Sequence, residues 1–424
     1  MKRFLGARAG AVFLALMTAT PVWADAAAEV QKKIATCLER NCRDLSLSGI
    51  KDLTVIPPEI AQLTGMSGLN LARTGITDLS PIRNYPWLQR LTLDNTGVSD
   101  LSPLIGMAAL RELNISRTAV SDIAPLTTLT GLRTLRMQKV PVTDLSPLAN
   151  LVTLRGLDIS DSPSTDITPL SALRSLDYLT ISKTRATDLL PLAGMTGLSE
   201  LYMSGAAATD LSPLAWLKGL DTLDISNTRV TDLSPLAGLT GLRRLYAPGI
   251  AATDIGPLAN LRSLRSVNLR GAPVSDLSPL GGLIALEQVE FSNTKITDIT
   301  PLAGKVMLQS LSISGTGVSN ISILAASRGL RILRIRNTSV ADVSVLGGMS
   351  RLEDAQLGDT PLGSIAALSG KANLRYVVIP NTGVADVSPL FGLEKLKGLT
   401  IGKNSAIPAA QLEQLEAQGV RIRQ

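Results

Sequence analysis

The sequence predicts a curved, right-handed α/β solenoid, with a parallel β-sheet along its concave face and short 3₁₀ or α turns along its convex face. Three observations carry that expectation. An apolar residue recurs every 22 residues from Met66 through Leu88, Leu110 and Leu132 to Leu396, without an insertion or deletion. Each period repeats one pattern, read most plainly from Leu220 through Leu223, Ile225, Thr228, Val230, Asp232, Pro235 and Leu236 to Leu239. The composition, 45% apolar but only 3% aromatic, suits thin rungs filled by Leu, Ile and Val. A fixed period of this length means units that bury their apolar faces only against their neighbours. Sixteen such units in register leave no room for an inserted catalytic domain. The chain is expected to be built as a surface.

The first 24 residues read as an export leader. Lys2, Arg3 and Arg8 make a basic start, Ala9 to Thr20 an apolar run, and Val22-Trp23-Ala24 a small-residue cleavage site. The run is too short for a permanent membrane span, so an exported, periplasmic or secreted product without stable membrane insertion is expected. Cleavage removes three cations and no acids, taking Lys plus Arg from 41 to 38 against 35 acids. A remainder of +3 argues against nucleic acid as a partner. Residues 25–65 are expected to form an N-terminal cap: an amphipathic helix over 26–41 with Val30, Ile34, Cys37 and Leu38 on one face, then an irregular first rung. Cys37 and Cys42 are an even pair, and in an oxidising compartment they are expected to form a disulfide. Closing so small a loop contributes only ~2 kcal/mol on chain entropy. Two free thiols are the alternative, and two sulfurs alone do not complete a zinc shell.

The repeat itself spans 66–407. Alternating residues make a short strand, with Leu223 and Ile225 inward and Asp224 outward. A Thr at the strand exit (74, 96, 118, 184, 228, 294, 316, 338, 360 and 382) can satisfy a backbone group as the chain turns. Ser before Pro then predicts a short helical turn, with Ser as its cap and Pro at its first position. Residues 408–424 are expected to close the far end with a helix from Ala409 to Gln418 and a last strand over 420–422. Eighteen strands at ~4.8 Å spacing give a spine of roughly 80 Å.

The frame L-x-x-L-x-L-x-x-T followed by T/S-D-L-S-P-L-A-G/N-L resembles the 22-residue leucine-rich repeats of bacterial internalin-like proteins, over residues 66 to about 407. The resemblance implies the leucine-rich-repeat fold and protein recognition on the concave face. The chain departs from that family in having mostly Thr where the corner Asn is usual. Neither an immunoglobulin-like stretch nor an LPxTG sorting motif follows the repeats. Host-cell invasion is therefore not implied.

The chain contains no His, which removes Ser-His and Cys-His dyads, His-ligated zinc and the commonest general base. No Gly-rich phosphate loop interrupts the beat, and no cofactor or metal is expected. Asp recurs at 78, 100, 122, 144, 166, 188, 210, 232, 254, 276, 298, 342 and 386. Such a column invites calcium, but each carboxylate is expected to accept N–H bonds from its own turn.

Information beyond the repeat must lie in the outward strand positions. Tyr178, Tyr202, Asp224, Arg244 and Tyr246 fall there over four adjacent rungs, and Tyr and Arg are favoured interface anchors. Ile332, Arg334, Tyr376 and Val378 form a second candidate, with apolar residues on a face expected to be polar. These observations point to a non-enzymatic protein that binds a protein partner. A glycan-binding module is the alternative, and a carboxylate-based hydrolase a third reading.

Overall fold

The structure, a computed structural model, describes residues 21–403 and 405–424, with side chains from residue 26. The leader expected over 1–24 lies outside the described residues, except for the backbone of 21–24 in the first helix. Helix α1 (Pro21–Arg40) leads to strand β1 (Asp44–Ser46). Strands β2 to β17 follow at 22-residue intervals from Gly68–Asn70 to Gly398–Thr400, and α2 (Ala409–Ala417) and β18 (Arg421–Arg423) close the chain. All eighteen strands pair in parallel with their sequence neighbours in one open sheet. Its register is that of the repeat, so that Arg244 lies beside Thr222 and Ser266, and Tyr246 beside Asp224 and Asn268. The chain is a leucine-rich-repeat solenoid.

Burial follows the repeat pattern. Leu220, Leu223, Ile225, Val230, Leu233, Leu236 and Leu239 are all buried, and their equivalents stack above and below in one continuous core. Where the corner carries Thr, it donates its hydroxyl to the carbonyl three residues back, as Thr228 Oγ1 does to Ile225 O at 2.7 Å, and all of these threonines but the half-buried Thr382 are buried. The same bond forms at Thr74, Thr96, Thr118 and Thr184 and at the later corner threonines.

The residue before that Thr position has a left-handed backbone in every rung from 73 to 381. It is Asn at 95, 227, 293, 337 and 381, Gly at 205, 249, 271 and 315, Asp at 161 and 359, and Arg or Lys at 73, 117, 139 and 183. Gly, Asn and Asp tolerate this conformation, whereas Arg and Lys are strained by it. The corner nonetheless holds, because its N–H bonds to the next rung, as Asn227 N does to Pro248 O at 2.7 Å.

The turns take the 3₁₀ form of the two expected: Ser234–Leu236 closes through Leu236 N to Leu233 O. Two expectations need correction. Ser is not their cap. Leu233 stands at the cap position, Ser234 and Pro235 are the first two turn residues, and the acceptor is Asp232. At the N-terminus Val30, Ile34 and Cys37 are buried as expected, but Leu38 is 41% exposed and lies off the face that packs on the first rung. Cys37 and Cys42 are disulfide-bonded, with their Cα atoms 5.0 Å apart. The left-handed Asn41 between them turns the chain so that Cys42 N reaches Cys37 O at 3.0 Å. The bond thus pins the helix end to the strand that starts the sheet.

Two lysines occupy a column that elsewhere holds Leu239, Leu261 and Leu283. Lys305 is 1% exposed and Lys371 5%. Their stems fill the leucine slot, and their ammonium groups bond to the carbonyl oxygens of Gly281 and Gly347. Burial holds both below the usual lysine value of 10.5. Lys305→Met should therefore stabilise the solenoid at neutral pH by on the order of 1 kcal/mol, read by urea unfolding. The native chain gains stability as pH rises through the lowered value towards 10.5, so the advantage of the variant should shrink over that range.

Candidate functional site

The two chemically suggestive columns behave differently. Every carboxylate of the Asp column accepts the N–H two residues on, at 2.6–2.9 Å. In many rungs the Ser or Thr hydroxyl also donates to the second carboxylate oxygen, as Ser234 Oγ does to Asp232 Oδ2 at 2.8 Å. Asn320 and Ser364 stand in the same column and accept the equivalent N–H from Ser322 and Ala366. These side chains start turns, and the turn persists over Ser322–Ala326 and Ala366–Leu368 despite the loss of Asp and Pro. Among the described residues no three His, Cys, Asp or Glu side chains converge on a point where a metal could sit.

The outward strand columns hold the candidate binding residues. Tyr178 begins β7 (Tyr178–Thr180) and Tyr202 ends β8 (Glu200–Tyr202). Their rings meet at a centroid distance of 5.6 Å and an angle of 44°. Tyr178 is 38% exposed, and its hydroxyl accepts from Thr180 Oγ1 at 2.9 Å. Tyr202 is half-buried and donates to Glu200 Oε2 at 2.9 Å. Burial, then the bond to Glu200 and its charge, push the Tyr202 phenol up to about 12, so it stays a donor throughout the physiological range.

The other members of this cluster are partly committed within the molecule. Asp224, which ends β9 (Thr222–Asp224), accepts from the N–H of Ser226 at 2.8 Å and from its hydroxyl, a local turn like that of the Asp column. Arg244, which starts β10 (Arg244–Tyr246), folds over Thr222 and pairs with Asp221 Oδ2 at 3.0 Å. Tyr246 ends the same strand, half-buried on the same face.

The second candidate lies on β14 (Ile332–Arg334) and β16 (Tyr376–Val378), with β15 (Asp354–Gln356) between them. Ile332, Arg334 and Val378 are half-buried and Tyr376 is 48% exposed. Arg334 Nη2 and Gln356 Nε2 both reach Asp354 Oδ2, at 3.5 and 3.1 Å, while Asp354 Oδ1 is buried with no partner among the described residues. Tyr376 and Val378 also line a cleft of about 540 Å³ that continues over Gly398 to Arg421 and Arg423 of the last strand. The sheet therefore brings each candidate group together across neighbouring strands.

Sequence reasoning missed a flank of the sheet. The position just before each strand is outward as well, and it carries Arg111, Arg133, Arg155, Asp177, Asp221, Arg243, Arg265, Glu287, Arg331 and Glu353. Arg243 pairs with Asp221 at 3.1 Å, Arg265 with Glu287 at 2.8 Å and Arg331 with Glu353 at 2.7 Å. The 22-residue spacing alone could have found this column. The turn side also exposes Leu190 and Trp216, where one rung departs from the usual Ser and the next from a small residue.

No protein-family model and no curated protein matches the chain. Solved structures do. An internalin (InlF) of Listeria monocytogenes is 26% identical, with 78% of this chain and 95% of that one covered and a TM-score of 0.65. A leucine-rich-repeat protein of Leptospira interrogans is 19% identical, covering 92% and 98%, with a TM-score of 0.75. The functional domain of InlJ from Listeria monocytogenes, which includes a cysteine ladder, is 19% identical, covering 82% and 78%, with a TM-score of 0.61.

The Asp column has a measurable consequence. Bonds from the turn hydroxyl and N–H hold Asp78, Asp166, Asp210 and Asp298 below the ordinary value of 3.8, the hydroxyl leading. At Asp100, Asp144, Asp276 and Asp386 the N–H leads. Their stabilisation is complete above 3.8 and is lost as pH falls through the lowered values, so the melting temperature should drop below about pH 4. At neutral pH, Asp210→Ala should lower it more than Asp210→Asn, which keeps the acceptor for Ser212 N–H.

Proposed function

We propose that this internalin-like leucine-rich-repeat chain is an exported, non-catalytic recognition protein that holds a protein partner on its concave sheet. One observation carries the reading: Tyr178 and Tyr202 touch across adjacent strands on an outward face otherwise made mostly of polar side chains, with Tyr246 two strands further on. Paired tyrosines offer large, stiff contact area with a polar handle, the character of residues that dominate binding energy. The concave surface of a solenoid is extended enough to receive a protein segment.

The candidate carboxylates also favour binding over catalysis, because Asp224 and the Asp column are occupied by bonds to their own turns. The leader read from Lys2 to Ala24 puts the protein in the periplasm or outside the cell, where a Cys37–Cys42 disulfide persists. A glycan is the competing ligand, since a tilted tyrosine pair also suits the apolar face of a sugar ring.

Affinity capture from envelope or host extracts, with quantitative identification, tests the proposal. Tyr178→Ala with Tyr202→Ala should lose the captured protein, a drop of roughly 30-fold or more in affinity, while Tyr202→Phe keeps most of it. Glycan-array binding without protein capture, abolished by the same double variant, would replace this reading with the glycan one.

A further inference from the structure

Three arginines beside the tyrosine pair serve no purpose in the fold. Arg133 and Arg155 occupy the flank position on consecutive rungs, just before β5 (Thr134–Arg136) and β6 (Gly156–Asp158), and Arg136 ends β5 on the sheet face. All three are exposed, and none forms an ion pair or a side-chain hydrogen bond among the described residues. Elsewhere on this flank three arginines meet a carboxylate one rung away, Arg243 with Asp221, Arg265 with Glu287 and Arg331 with Glu353, while Arg375 has no ion pair among the described residues. Arg111, one rung before Arg133, bonds to the carbonyls of Ala108 and Leu110. Arg133 and Arg155 instead follow one another at ~4.8 Å of backbone spacing, where like charges repel.

The sheet floor beside these arginines is bare. Gly156 stands between Thr134 and Tyr178 in the sheet. A Cβ there would meet Thr134 Cγ2 at an ordinary 3.6 Å, so the floor has room for a side chain that is not present. Tyr178 accepts from Thr180 at its hydroxyl oxygen, which leaves its own proton to donate outward. Guanidinium groups can only donate. Arg133, Arg155, Arg136 and the Tyr178 O–H are thus outward donors with no acceptor among the described residues, and Arg136 also borders a cleft that runs over Glu112 and Asn114 towards the first strands.

Resting on the recognition function proposed above, we propose that the partner enters this face with an acidic, extended segment. Its carboxylates lie against Arg133, Arg155 and Arg136, and an adjoining side chain packs on the Tyr178–Tyr202 pair. Arginine forks match carboxylates bidentately. A polyanion of unbroken charge fits less well, because Glu112, Asp158 and Asp177 stand on strands or flanks adjoining the same three arginines and would repel it. An acidic protein segment can place one or two carboxylates on the arginines and neutral residues beside those acids.

The test is selection of a random peptide library, displayed on phage, against the full chain, followed by affinity measurement on a synthesised winner. Enriched peptides should carry an excess of Asp and Glu. Their affinity should fall about tenfold or more for Arg133→Gln with Arg155→Gln, fall with added salt, and stay unchanged for Arg265→Gln. The Lys versions at 133 and 155 should recover part of the loss, and unchanged melting temperatures would confirm folding. Winners without acidic excess, or indifferent to the double variant, overturn the inference. If such winners still depend on Tyr178 and Tyr202, the recognition face survives and only its acidic preference is lost. If none depends on any concave residue, both readings fall. Heparin or oligouridylate binding more tightly through the same arginines would overturn the assignment to protein.

Discussion

Each strand can pair with its neighbour only if every rung turns the same corner after the same number of residues. That constraint is met at one backbone position per rung, where the chain enters the left-handed region between residues 73 and 381 without exception. A one-residue slip at any corner would exchange the inward and outward sets of the next strand. It would bury residues such as Asp224 and expose Leu223. The buried Thr that follows most of these corners holds the turn from inside by closing onto the carbonyl three residues back. Even Lys139 and Lys183 are held in a conformation that their side chains disfavour, because the surrounding ladder overdetermines it.

From this regularity the outward face acquires its character. A rung supplies only three outward positions around each strand, so side chains that are distant in sequence become neighbours at the strand spacing. Many then satisfy one another: Tyr202 with Glu200, Arg244 with Thr222 and Asp221, Arg334 with Asp354. Exposed pairs of this kind contribute little stability. Their larger effect is to leave other groups, among them the Tyr178 hydroxyl proton, Arg133, Arg136 and Arg155, as donors that face solvent. The ends obey the same logic. The α1 cap, tied by Cys37–Cys42, buries Val30, Ile34 and Cys37 against the first rung, and α2 with β18 buries Leu415 and Val420 at the other end.

Much of the fold was legible in the sequence because it is written sixteen times. The apolar columns, the strand positions, the corner Thr and the role of the Asp column as a turn acceptor all follow from the period and from local side-chain chemistry. The repeat pattern misled in one respect, assigning the turn cap to Ser: the 3₁₀ turn starts one residue earlier, the N–H groups that a Ser side chain would cap close onto the carbonyls of Leu233 and Ser234, and Asp232 takes the N–H of Ser234 itself. It was also silent on Lys305 and Lys371, since a cation in a leucine column looks like a defect until its stem is seen to fill the slot and its amine to reach a carbonyl.

The sequence by itself determined the rung: which residues face inward, where each turn starts, and that strands stack in parallel register. Tertiary structure alone decided which outward groups are free. Asp224 and Arg244 look as available as Tyr178 when read along the chain. Their partners lie two residues on or one rung away, and only coordinates reveal whether an oxygen or a guanidinium has closed on them. Local periodicity sets direction, but the satisfaction of a polar group depends on distances across strands, which a one-dimensional pattern does not contain.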